Sequence, residues 1–196
     1  MAFKRSGVQI PYPPPNLGSV ASPPLRRAST MKRIPLPQRW PEPPFRIALV
    51  EPEIAGNTGA IARLCAATGS ELHLVEPLGF RLTDAHLKRA GLDYWEHVSQ
   101  TRHRGLDTFL AAAPKPERLF FFSTRASRSY TDECYRPGDT FVFGSESRGL
   151  PEALLRHHAD QTLGIPIRLD HVRSLNVVTA AAIVLYEALR QQGPGD

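Results

Sequence analysis

The chain predicts an α/β fold, a mostly parallel sheet flanked by helices, and three observations support that prediction. From Phe45 onward, short apolar runs alternate with helical periods. Phe45–Val50, Asn57–Thr68 and Glu71–Val75 read as a strand, a helix and a strand in succession. A long helix from about Ser174 to Gln191 closes the chain and has apolar or small residues nearly all round between Val177 and Leu185. Strands joined through helices run parallel and need cover on both faces.

Taken in order, Phe45–Val50 is an apolar run of strand length. The helix Asn57–Thr68 places Ile61, Leu64, Cys65 and Thr68 on one face and is closed by Gly69. Glu71–Val75 is the next strand. Further expectations are a helix over Thr83–Ala90, a strand near Glu96–Ser99, and a helix around Gly105–Ala113. Strands follow at Arg118–Ser123, Thr140–Phe143 and Thr162–Ile165. Because the final helix lacks a clear polar face, it must be buried on more than one side, in the core or against a second subunit. A homodimer is the preferred expectation.

The 196 residues, 41% hydrophobic and 22% charged, suffice for one core. Eleven of the 19 prolines fall in residues 1–44, which never settle into a period. That segment also holds Lys4, Arg5, Arg26, Arg27, Lys32, Arg33 and Arg39 against Glu42, a net +6 that leaves −1 of the chain's +5 for residues 45–196. The expected organisation is a Pro-rich, basic, disordered arm over 1–44 and one folded domain over 45–192. Such an arm suits an anionic polymer, and equally a leader or sequence ahead of a start at Met31. The two cysteines, Cys65 and Cys134, have no metal-ligand spacing, so no metal is expected and a reducing, cytoplasmic location fits. No apolar stretch is long enough to cross a bilayer, so no membrane association is expected.

Open α/β sheets bind ligands at the carboxyl ends of their strands. The loops after Val50, Ser123, Phe143 and Ile165 are therefore where a site should form. Phe143-Gly144-Ser145-Glu146-Ser147-Arg148-Gly149-Leu150-Pro151 has two glycines that permit close backbone approach, with Glu146 between them and Pro151 suited to a first helical turn. The same residues also make an ordinary strand-to-helix turn with a solvated Glu. Asn57 suits a helix N-cap, yet Arg63 shares a helix face with Gly56, Gly59, Ala60 and Ala67, leaving room beside it for a ribose-phosphate. Ser174 and Asn176 open the last helix, where they could hold a carboxylate or simply cap it.

In this order and spacing, Asn57-Thr58-Gly59-Ala60-Ile61-Ala62-Arg63, the Phe143-to-Pro151 loop and Arg173-Ser174-Leu175-Asn176 resemble the three motifs of the SPOUT superfamily of RNA methyltransferases. The resemblance spans almost all of residues 45–191. Glu51-Pro52-Glu53-Ile54, Arg63-Leu64-Cys65-Ala66, Glu76-Pro77-Leu78-Gly79-Phe80, Arg89-Ala90-Gly91-Leu92-Asp93-Tyr94 and Thr101-Arg102-His103 narrow it to the branch acting on the tRNA wobble nucleotide. It implies a deep C-terminal trefoil knot and a homodimer. It also implies S-adenosyl-L-methionine as donor, and as acceptor the 2'-hydroxyl of cytidine or modified uridine at the wobble position of the tRNA anticodon stem-loop.

Carried onto this chain, the resemblance places Phe122, Gly144, Ile165 and Ser174 around the donor. It links Asn57, Arg63, Glu146, Ser174 and Asn176 to catalysis or its support. Phe122 departs from an aliphatic residue in relatives, and Ser145 stands where some have proline. A guanidinium is always protonated and makes a poor base, so Arg63 is expected to clamp a phosphate and stabilise the developing alkoxide. Two alternatives stay open: methylation of another tRNA or rRNA position, and a tRNA-binding protein that has lost catalysis.

Overall fold

In the computed structural model, which describes residues 39–81, 95–168 and 170–193, seven strands form one sheet. They are β1 (Arg46–Val50), β2 (Glu71–Val75), β3 (Gln100–His103), β4 (Leu119–Phe122), β5 (Arg128–Ser129), β6 (Thr140–Phe143) and β7 (Thr162–Gly164). Their order is β3-β2-β1-β6-β4-β7-β5, and each ladder is parallel. The helices are α1 (Ala55–Thr68), α2 (Leu106–Ala112), α3 (Glu152–His157) and α4 (Val177–Gln191).

Alternation along the strands sorts the side chains into two cores. Ile47 and Leu49 of β1 meet Ile61 and Cys65 of α1 and Ala181 and Leu185 of α4 on one face. Ala48 and Val50 meet Phe109 of α2 and Phe121 of β4 on the other, where Leu154 and Leu155 of α3 pack against them. The layers are therefore helix, sheet, helix, as the alternation predicts. Burial pushes the Cys65 thiol up to about 12, which fits a small core residue and not a nucleophile.

Several elements differ from expectation in physically informative ways. The strand expected near Glu96–Ser99 lies at Gln100–His103, after a 3₁₀ turn over Trp95–His97. It is an edge strand with three exposed residues, so it has no apolar alternation to reveal it. Its buried His103 stacks on His73 of β2, with ring nitrogens 2.9 Å apart, and Phe109 meets it edge-on. Helix α1 starts at Ala55 with Ile54 at its N-cap, so Asn57 lies in the first turn and is not the cap. Helix α4 starts at Val177; Asn176 caps it, while Ser174 lies in the preceding loop. Pro151 occupies the N-cap position of α3, one residue ahead of the first helical turn. Two-residue β5 was too short to read. The helix expected over Thr83–Ala90 and the Arg89–Tyr94 segment lie outside the described residues.

The site is set by topology. The chain moves outward from β1 to β2 to β3, then returns to build the other half of the sheet around β6. Because β1 and β6 are neighbours in register, Leu49 opposite Phe143, the loops that follow them leave the same end of the sheet side by side. That divergence opens the crevice in which such sheets bind ligands.

Candidate active site

The loop after β6 is closed on itself. Gly149 N–H donates to Ser145 C=O over 2.8 Å, and Gly149 adopts a φ of 70° that favours glycine. Gly144 is required for a second reason: a Cβ there would lie 2.1 Å from the Gly149 carbonyl carbon and 2.2 Å from Leu150 N. Glycine at 144 lets the chain fold back onto itself, which brings Glu146 against the loop after β1.

A directed chain of hydrogen bonds ends on that carboxylate. At the start of α4, Val178 N–H donates to Asn176 Oδ1 over 2.8 Å. With its oxygen occupied, Asn176 turns its Nδ2 to Asn57 Oδ1, 3.2 Å away. Asn57 in turn donates through Nδ2 to Glu146 Oε1 over 2.8 Å, and Glu53 N–H donates to Glu146 Oε2, also over 2.8 Å. Each amide orientation follows from the one before it. Partial burial pushes the Glu146 pKa up, but the Asn57 amide and the backbone N–H groups of Glu53, Glu146 and Ile54 outweigh it and hold it below the ordinary carboxylate range. Glu146 is therefore ionised at neutral pH.

These loops enclose a cavity of about 560 Å³, a size suited to a nucleoside-bearing molecule. Seven of the eight residues singled out from the sequence line it: Asn57, Phe122, Gly144, Glu146, Ile165, Ser174 and Asn176. Its walls combine apolar rings, Phe122 stacked on Phe143 at 4.9 Å, with backbone around Gly144 and the Glu146 carboxylate. Arg63 stands apart. Six residues beyond Asn57, it lies about 240° further round the helix and about 9 Å along it, exposed and outside the cavity lining. Gly56 and Ala67 are exposed and Ala60 is half-buried, as the small-residue face predicts, but Gly59 is buried.

Sequence reasoning missed the clamp on this loop. Glu53 accepts from Ser147 Oγ over 2.6 Å and from Ser147 N–H over 3.2 Å, and Arg148 donates to Glu51 over 2.8 Å. The Glu51-to-Ile54 segment stood out in the sequence, but the role of its carboxylates depends on partners more than 90 residues away. Among the described residues, no group of three or more His, Cys, Asp or Glu is placed to hold a metal ion.

Fold and site together define a class. Residues 44–186 match the SpoU rRNA Methylase family, and the chain belongs to it. Among curated relatives it is 52% identical over 151 residues to the tRNA (cytidine(34)-2'-O)-methyltransferase of Burkholderia pseudomallei, covering 76% of this chain and 96% of the relative. It is 47% identical over 153 residues to the protein of that name from Escherichia coli, covering 77% and 96%. A solved structure described as giving structural insights into the 2-OH methylation of C/U34 on tRNA superposes with a TM-score of 0.70 at 47% identity, over 76% of this chain and 95% of that one.

Proposed function

We propose that this protein transfers a methyl group from S-adenosyl-L-methionine to the ribose 2'-hydroxyl of the wobble nucleotide, cytidine or modified uridine, in tRNA. The observation that carries this reading is the convergence on one cavity of seven of the eight residues singled out from the sequence, five of them from the three motifs, with the amide chain from α4 ending on Glu146. The relatives' high identity over nearly their full length supports the substrate. The same relationship supports a deep trefoil knot in the C-terminal part, a homodimer, and cytoplasmic action. No helix among the described residues is long and apolar enough to cross a membrane.

The pocket fits the donor. Phe122 and Ile165 offer apolar surface to a flat base, the Gly144 backbone permits close approach, and Ser174 offers a hydroxyl. When bound, S-adenosylmethionine supplies a methyl group on a positively charged sulfur. Ionised Glu146 complements that positive charge at the cavity wall. Asn57 and Asn176 fix the carboxylate's direction, so no reorganisation is needed as the reaction proceeds. Arg63, on the exposed face of α1, clamps the phosphate next to the reacting ribose and stabilises the developing alkoxide, while the hydroxyl proton leaves to phosphate or water. In a homodimer, such an exposed residue can serve a site built by the facing subunit.

The test is transfer of labelled methyl from S-adenosylmethionine to unmodified tRNA and, separately, to unmodified rRNA. Label on tRNA alone is expected. Label on rRNA, or label that nucleotide mapping places at another tRNA position, would establish the first alternative, and tRNA binding without label would establish the noncatalytic one.

A further inference from the structure

Two loops frame the cavity from neighbouring strands, and each holds the other through a glutamate. Glu146, from the loop after β6, accepts the backbone N–H of Glu53. Glu53, from the loop after β1, accepts both the hydroxyl and the backbone N–H of Ser147. The pairing is reciprocal, and neither bond can shift without disturbing the next residue of the other loop.

The backbone beneath Glu53 is fixed as well. Gly79 N–H donates to Pro52 C=O over 2.9 Å, and a Cβ on Gly79 would lie 2.8 Å from Glu53 Cα. The loop after β2 thus packs directly against the Glu53 backbone and bonds to the residue before it. Opposite, Ser147 lines the cavity while Glu53 does not. Bonds within the Gly144-to-Leu150 loop, such as Arg148 N–H to Ser145 Oγ over 3.3 Å, set its shape but not its position against the loop after β1. That position is set by contacts between the loops. The Arg148–Glu51 pair rests on a largely exposed Arg148; the Ser147–Glu53 contact is exposed as well, but there one carboxylate receives two bonds from one residue, the hydroxyl over 2.6 Å and the backbone N–H over 3.2 Å.

We propose that Glu53 is a positioning residue for methyl transfer: acting through Ser147, it holds the Gly144-to-Leu150 loop in the position against the loop after β1 that binds the methyl donor. This rests on the function proposed above. It also gives a role to two sequence segments, Glu51-to-Ile54 and Glu76-to-Gly79, which the catalytic assignment leaves without one.

The test measures S-adenosylmethionine affinity by calorimetry and Tm by thermal unfolding for the wild type, Glu53→Ala, Glu53→Gln, Ser147→Ala and the Glu53→Ala/Ser147→Ala double variant. Glu53→Ala is expected to weaken donor binding about tenfold, from the loss of two exposed hydrogen bonds to one carboxylate, and to raise the donor KM more than it lowers kcat. Glu53→Gln keeps one acceptor oxygen and should recover part of the affinity. The double variant should bind no more weakly than Glu53→Ala, because without the Glu53 carboxylate the Ser147 hydroxyl has already lost its acceptor. A lowered Tm with unchanged affinity of the folded protein would mean a purely structural role and overturn the proposal, as would additive losses in the double variant. A wild type that does not bind the donor would overturn the proposed function too, which separates the two failures.

Discussion

Asn57 connects two parts of the molecule that the sequence keeps far apart, donating to Glu146 and accepting from Asn176, 89 and 119 residues away. Its residue type and place before an apolar helix suggested a cap, and only the folded chain shows its amide directed at a carboxylate. Because Glu146 has a depressed pKa in the folded state, its ionised form stabilises that state above the ordinary carboxylate range. That contribution is lost as pH falls through the lowered folded value. Thermal unfolding of Glu146→Gln should accordingly show a shallower decline in Tm on the acid side than the wild type does, and parallel declines would contradict the assignment. For Arg63 the expectation is kinetic. Arg63→Lys keeps the charge but loses the planar fork that grips a phosphate, so kcat should fall about 10²-fold, within the range for losing one transition-state donor. A fully active lysine variant would remove the clamp. The sequence placed Arg63 on the small-residue face of α1, where it lies exposed, but its separation from the cavity was not legible, since helical phase gives a face and not what lies opposite.

At the scale of elements, the strands with continuous apolar runs were legible because burial on both faces leaves no other composition. Leu119–Phe122 and Thr140–Phe143 are fully buried along their length. Polar edge strand β3 and short β5 carried no such signal. The turn entering β6 is held by charge. Asp139, 1% exposed, accepts from Arg118 Nε over 2.8 Å and from Arg136 N–H over 2.7 Å, and its own N–H donates to Arg136 C=O. Arg118, whose pKa the Asp139 carboxylate raises, also donates to Cys134 C=O and lies over the Phe120 ring. Asp139→Ala would leave this guanidinium without its main partner while it stays partly buried. A loss of about 3 kcal/mol is expected from breaking a buried pair on one side, measurable by urea unfolding. A change below about 1 kcal/mol would show that water replaces the carboxylate.

For the whole molecule, the parallel α/β architecture followed from alternation alone, whereas the strand order did not. Inserting β6 between β1 and β4 is a long-range choice that local periodicity does not encode, and it is this insertion that brings the first two motif loops together. Charge is divided on the same scale. Residues 1–44 hold a net +6, so their removal should weaken tRNA binding and flatten the dependence of log K on log salt, each neutralised phosphate contributing about 0.7–0.9 to the slope. An unchanged slope would take that segment out of RNA binding. The central claim is that the cavity beside Glu146 directs a methyl group to the wobble ribose. Its most direct test is mass-spectrometric mapping of the methylated nucleotide in unmodified tRNA after incubation with S-adenosylmethionine and either the wild type or Glu146→Ala. A 2'-O-methyl group at the wobble position that is lost in the variant is the expected result; a methyl group elsewhere, or one that persists at the full rate in the variant, would contradict it.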